Sequence, residues 1–246
     1  MKKLEDLNFH DRDSRIFFDE SNHNYTIDKK IKAISVTQLI HKFFPEFDKE
    51  YWAEKESIKT GLNKIDILEK WKKLGNKARD LGTDLHNQIE NFYNKIDYKK
   101  SREFEKFSNF HTTHIEGKYD PYRTEWRIFD DNKSIAGTVD MVYKKNNNEL
   151  FIFDWKRSKK LINSDGSIEK ENPFENGLKG LSHLSSSDYI KYCLQQNIYK
   201  YIIEKNYNKK VSSMNLLILH PNYDNYHIIQ VEEFPLEVDY LISTLQ

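Results

Sequence analysis

Hydrophobic positions follow two different rhythms along this chain. From Ile65 to Tyr93, Leu68, Trp71, Leu74, Ala78 and Leu81 recur at three- and four-residue steps, which predicts long amphipathic helix. Gly82 marks a point for a break or a close approach. His86 and Glu90 fall one turn apart on one face of the continuation, "TDLHNQIENFYNKI". "REFEKFSNFHTTH" predicts a further helix. The rhythm then changes to strand. "TEWRIFD", "SIAGTVDMVYK" and "ELFIFDWKR" are separated by "DNK" and "NNN", which is turn chemistry. Residues 158–188, with "SDGSIEKENPFENG", read as a long mobile loop. "SSSDYIKYCLQQNIYKYIIEKNY" is a helix entered through serines, "SSMNLLILHP" and "YHIIQVEEF" are strands, and "PLEVDYLISTLQ" is a final helix. At the other end, "RIFFDESNHNYTIDKKIKAISVTQLI" predicts a short hairpin that leads into a helix capped by Ser35 or Thr37.

Helices, a three-strand meander, a crossover helix and further strand add up to an α/β or α+β fold, with helices packed on a central mixed sheet. The crossover helix should bring the next strand back parallel to its predecessor. At 246 residues with no internal repeat, one elaborated domain is expected. Its hairpin and helical part covers about residues 1–115 and its sheet core about 120–235.

Composition removes several classes of function. Lys plus Arg and Asp plus Glu both number 39, so no global field favours a polyanion and any basic surface must be local. No apolar run reaches the length of a membrane span, and "MKKLEDLNFHDRDS" lacks the apolar centre of a secretory signal. The single cysteine, Cys193, leaves no intramolecular disulfide and no cysteine-ligated iron–sulfur cluster. A reducing intracellular compartment is the expectation.

Against that background, Asp140 and Asp154 are unusual, because they interrupt apolar strands. A hairpin centred on Asn147 sets them opposite one another, and period-two alternation puts Lys156 on the face of Asp154. A preceding turn near Asn132 brings Glu125 roughly across from Asp140, unless a bulge shifts the register. Clustered carboxylates repel one another, and burial raises the cost. A divalent cation relieves both, and oxygen ligands suit Mg2+ or Mn2+. Lys156 beside a metal-bound phosphate would orient a water and stabilise negative charge. Ser35 and Thr37, as caps, could also meet phosphate. Arg157 and Ser158 border the Asp-x-Lys triplet, within reach of substrate.

"GTVDMVY…ELFIFDWKRSK" resembles the PD-(D/E)XK nuclease superfamily, with Asp154-Trp155-Lys156 as the triplet and Asp140 as the preceding acid. "LGTDLHNQIE" and "LQQNIYKY" are similar to the Gly-x-x-x-His and Gln-x-x-x-Tyr helices of its RecB-like branch, which includes the mitochondrial genome maintenance exonuclease. "AISVTQLIHKFFPEFD" is similar to a Ser-Val-Thr segment of phage and viral members. The match spans roughly residues 30–205. It implies a restriction-endonuclease-like core with an N-terminal helical elaboration. Asp140, Asp154 and the carbonyl of Trp155 would hold metal, with His86 as a further ligand or just outside. Lys156 would position the attacking water. Gln195 and Tyr199 would face the site and contact the DNA backbone or Lys156, with Gln196 as the adjacent alternative if the register slips, and Glu125 would be an upstream acid.

The expectation is therefore a Mg2+-dependent deoxyribonuclease that acts on single-stranded DNA or linear ends, exonuclease-like, with N-terminal helices arched over the site. The absence of a phosphate-loop motif leaves room for a helicase or recombination protein as partner. The alternatives are a non-catalytic nucleic-acid-binding subunit with a nuclease fold, and a structure-specific endonuclease or RNase.

Overall fold

The computed structural model describes residues 2–146 and 149–245. The expected hairpin centre, Asn147, lies outside the described residues. A short helix α1 (Leu4–Leu7) and a 3-10 turn (Asp11–Arg15) precede three antiparallel strands, β1 (Ile16–Asp19), β2 (Asn24–Ile27) and β3 (Ile31–Ser35). Helices α2 (Val36–His41), α3 (Lys49–Thr60), α4 (Lys64–Asn94) and α5 (Arg102–Phe110) follow. Strands β4 (Asp120–Asp130), β5 (Ile135–Asn146) and β6 (Glu149–Lys156) form the meander. Helix α6 (Asp188–Asn206) crosses over to β7 (Lys210–Ile218), and β8 (His227–Gln230) and α7 (Pro235–Ser243) complete the chain.

The strands form one mixed sheet ordered β1-β2-β3-β5-β6-β7-β8, with β4 paired to β5. As the crossover requires, β7 runs parallel to β6. Helices cover both faces. Leu194, Ile198 and Ile202 of α6 pack with Val36 and Leu39 of α2 and Leu241 of α7 over Val139, Val142 and Ile152. Leu85 and Ile89 of α4 pack with Phe104, Phe107 and Phe110 of α5 over Met141, Phe153 and Trp155 on the other side. This is why β6 reads as an almost unbroken apolar run. No helix among the described residues is long and apolar enough to cross a membrane.

The helix ends follow local chemistry. Ser187 accepts from Ile190 N (3.2 Å) to start α6, and Asn63 accepts from Ile65 N (2.8 Å) to start α4. Three expectations need correction. Gly82 breaks nothing, since α4 is one helix of 31 residues. The predicted apolar stripe of α4 is not core, because no residue from 69 to 84 is buried. That stretch lies beside α3 and the Phe47 ring, while Leu85, Ile89 and Tyr93 of the last three turns join the core on the sheet. Finally, the segment 158–188 is packed down. Leu161, Ile162, Leu181 and Leu184 are buried, Gly177 N bonds to Leu184 O, and Leu178 N bonds to Phe43 O, both at 2.8 Å.

Candidate active site

The site is built on an irregularity in β5. Its ladder with β4 runs from Ile135 to Lys144 along one edge. The other edge is shared. β3 pairs with Ile135 and Ala136, and β6 pairs from Met141 onward. Between Ala136 and Met141 that second edge has no ladder partner among the described residues, so the sheet forks there. Asp140 sits at the end of the fork, and its Oδ2 accepts from Trp155 N at 2.8 Å. A side-chain carboxylate thus takes the place of a ladder carbonyl.

The strands also change facing at this level. Val139 and Val142 are three residues apart yet join the same core cluster, which strict alternation forbids. On β4 the matching residue is Glu125, which the register Thr124↔Met141 and Trp126↔Val139 sets against Asp140. Glu125 has φ +44°, a left-handed conformation that is uncommon outside glycine. Such a distortion is concentrated at functional sites because the surrounding structure must hold it.

Through the fork, groups from both faces meet. Asp154 and Lys156 project on the α6 side. Lys156 Nζ lies 2.5 Å from Asp154 Oδ2 and 4.2 Å from the centre of the Tyr192 ring. Gln196 Nε2 donates to Asp154 Oδ1 (3.1 Å). His86 reaches in from α4 on the opposite side. Its Nε2 donates to the Trp155 carbonyl (2.9 Å), while its Nδ1 faces Glu125 Oε1 at 3.5 Å and Asp140 Oδ2 at 3.7 Å. The backbone carbonyl fixes Nε2 as a donor, so Nδ1 is the nitrogen that could ligate once it has lost its proton.

The electrostatics are those of acids crowded into a poorly solvated place. Burial and the neighbouring Asp140 push Asp154 up to about 6 in spite of Lys156. Burial likewise raises Asp140, against the pull of His86. For His86 burial works downward, but Asp140 and Glu125 outweigh it and raise the imidazole to about 9. Lys156 is also raised, because Asp154 overcomes its burial. All four departures express one imbalance, an excess of carboxylate in a confined space.

His86, Glu125 and Asp140 each bring a ligand atom within 4.8 Å of the others. Two carboxylates and an imidazole whose Nδ1 faces them make a chemically sensible cation site, at which a cation would take the place of the Nδ1 proton. The fully buried Gln196 Oε1 has no partner among the described residues, on the same amide whose Nε2 holds Asp154. A cleft of about 630 Å³ leads to His86 and Glu125 between α4 and the β1–β2 turn, with Phe18, His23 and Arg127 in its walls.

The expected site residues divide in the structure. His86, Glu125, Asp140, Asp154 and Lys156 come together. The Trp155 carbonyl is there too, but it accepts from His86. Tyr199 is buried above Gly137, where an added Cβ would come within 2.5 Å of its ring. Gln195 does not reach the acids. Its Nε2 donates to Thr37 Oγ1 (3.1 Å), and its neighbour Gln196 takes the place beside Asp154. Ser35 caps α2 by accepting from Gln38 N (3.1 Å), and Thr37 is held by Gln195. Arg157 is turned away to Glu103 (2.7 Å) on α5, and Ser158 Oγ accepts locally from Lys160 N (3.1 Å). Gln196, the adjacent alternative to Gln195 if the helix register slips, and Tyr192, which no sequence motif singled out, complete the site. Helical spacing puts Tyr192 on the face of Tyr199, but it serves Gln195 and Gln196 equally, since each is three or four residues from both.

No family model matches the chain, and no curated protein matches it. A solved structure described as "Crystal structure of SSO0001" is similar over 85% of this chain and 72% of its own, at 14% identity and a TM-score of 0.36. A likeness that loose carries no argument about fold or function.

Proposed function

We propose that this chain is a metal-dependent nuclease that hydrolyses phosphodiester bonds in DNA. One observation carries the reading: the Asp154–Lys156 pair stands beside the His86–Glu125–Asp140 cluster at a fork in the sheet. Apolar strands gain nothing from five ionisable groups in one spot unless an ion and an anionic substrate balance them.

Glu125, Asp140 and His86 Nδ1 would hold Mg2+ or Mn2+, with Asp154 alongside. When bound, the ion supplies Lewis acidity toward a phosphoryl oxygen and lowers the pKa of water. The protein's own groups do the rest. Lys156, held by Asp154 and the Tyr192 ring, has its ammonium fixed where it can donate to a water or to a developing oxyanion. Gln196 fixes Asp154, and so indirectly the lysine. The Trp155 backbone orients both Asp140, through its N–H, and His86, through its carbonyl. Restriction to single strands or ends, and DNA rather than RNA, rest on the resemblance of the motifs.

The test is a cleavage time course on end-labelled linear single-stranded and duplex DNA, a closed circle and an RNA, with Mg2+ or Mn2+. EDTA and Lys156→Ala are the controls. Loss of linear DNA with the circle intact, abolished by both controls, is the expected result. A cut circle would make it an endonuclease, and preferred loss of RNA a ribonuclease. No metal-dependent cleavage of any substrate would sink the enzymatic reading.

A further inference from the structure

The exposed middle of α4 is strongly basic. Lys70, Lys72, Lys73, Lys77 and Arg79 fall within residues 70–79, with no acid among them. That is notable in a chain with no net charge. Lys73 lies 3.9 Å from Glu69. Among the described residues no carboxylate pairs with Lys70, Lys72, Lys77 or Arg79. Lys72, Arg79 and His86 follow at steps of seven residues, about two helical turns, so they lie along one face. That face runs from the cations directly to the candidate metal ligand.

At the far end of the same stretch is an exposed aromatic cleft of about 360 Å³. The Phe47 and Trp52 rings are nearly parallel (6°) with centres 6.4 Å apart, and Trp71 lies 6.1 Å from Phe47. Phe174 packs edge-on to Trp52 at 5.8 Å. Phe47 is 58% exposed and Phe174 75%, so neither ring is part of the core. Glu56, Glu175 and Asn172 border the rings. They offer acceptors for base amino groups.

We propose that this surface is a rail for single-stranded nucleic acid. Unpaired bases stack in the Phe47–Trp52–Trp71–Phe174 cleft, while phosphates follow Lys72 and Arg79 along α4 to the site at His86. Charge complementarity selects a polyanion. The flat exposed rings select base faces, which only an unpaired strand exposes. Trp71 and His86 are about 22 Å apart along the helix, room for about six nucleotides at duplex rise. The inference rests on the nuclease reading for its destination but not for its binding chemistry.

The experiment uses the full chain in EDTA, so that nothing is cut. A labelled oligothymidylate of about 15 nucleotides is the probe, read by anisotropy and by tryptophan quenching. Trp71→Ala, and separately Lys72→Glu with Arg79→Glu, should each weaken single-strand binding about tenfold or more. Trp71→Phe should restore most of the loss. Circular dichroism checks that each variant is folded. The charge-reversed pair lies on exposed helix, so it keeps the test open if Trp71→Ala unfolds. Unchanged affinity in folded variants overturns the proposal. So does a wild-type dimer that Trp71→Ala dissociates without loss of oligonucleotide binding, which would give the cleft to a second copy. A wild type that never cleaves, but whose binding falls in both variants, would end the nuclease reading and leave the rail standing. Cleavage by wild type with binding unchanged in the variants would do the reverse.

Discussion

The carboxylate of Asp140 accepts from Trp155 N at 2.8 Å, across the point where β5 and β6 part. One group therefore serves both the sheet and the candidate metal site. Asp140→Asn keeps an acceptor for that N–H but loses the charge. Asp140→Ala leaves a buried donor unpaired, at about 1–3 kcal/mol. The expected outcome is that both variants lose Mn2+ binding by calorimetry, while only the alanine variant melts several degrees lower. Equal melting of the two would show that the hydrogen bond contributes nothing to the fold.

Asp154 gives a pH dependence of definite sign. Its pKa in the folded chain is about 6 against an ordinary 3.8, so the folded state binds the proton more tightly than the unfolded one. The associated stabilisation is complete below pH 3.8 and is lost as pH rises through about 6, roughly 3 kcal/mol in all. Asp154→Asn removes that loss. Without metal, the variant should therefore gain in melting temperature relative to wild type between pH 4 and 7. Mn2+ should raise wild type more than the variant at pH 7. A constant difference across this range would contradict the assignment.

Lys156 and Asp154 should be strongly non-additive. Lys156→Ala strands a buried carboxylate, at about 3–5 kcal/mol. Adding Asp154→Asn removes the stranded charge, so the double variant should unfold in urea at a higher concentration than Lys156→Ala alone. Additive losses would mean that the two do not interact in solution.

Gly137 is fixed by what lies above it. A Cβ there would stand 2.5 Å from Tyr199 Cε1 and 3.2 Å from Val36 Cγ2. Gly137→Ala should cost about 1–3 kcal/mol through overpacking. Tyr199→Leu in the same chain should recover part of it. If Gly137→Ala melts like wild type, the contact between β5 and α6 is looser than described.

Much of this site was legible in the sequence because it depends on strand register, and register is arithmetic. Asp140, Asp154 and Glu125 could be aligned from the turn positions alone, and the strands pair accordingly. The shared face of Asp154 and Lys156 was legible from alternation, but the facing of Asp140 and Glu125 was not. It depends on the left-handed backbone at Glu125 and the change of facing at Asp140, and neither residue type announces such a departure. The Gln195/Gln196 choice failed for a related reason. Adjacent glutamines on a helix apolar on nearly all sides differ by 100°, and packing alone decides which one meets Asp154. The stripe on α4 misled because periodicity shows that a helix has an apolar side and says nothing about what covers it. The mixed sheet, by contrast, needed only the order of elements.

The shared edge of β5 also bears on how the candidate site assembles. β3 meets β5 across about a hundred residues of sequence, and His86 must come from the helix between them. Contacts of such separation close late and slowly, because the intervening loop must lose its entropy first. A partly folded chain would hold the Asp-x-Lys strand without the fork. The ability to bind an ion should therefore appear as the last event of refolding, after the sheet core has already gained its secondary structure.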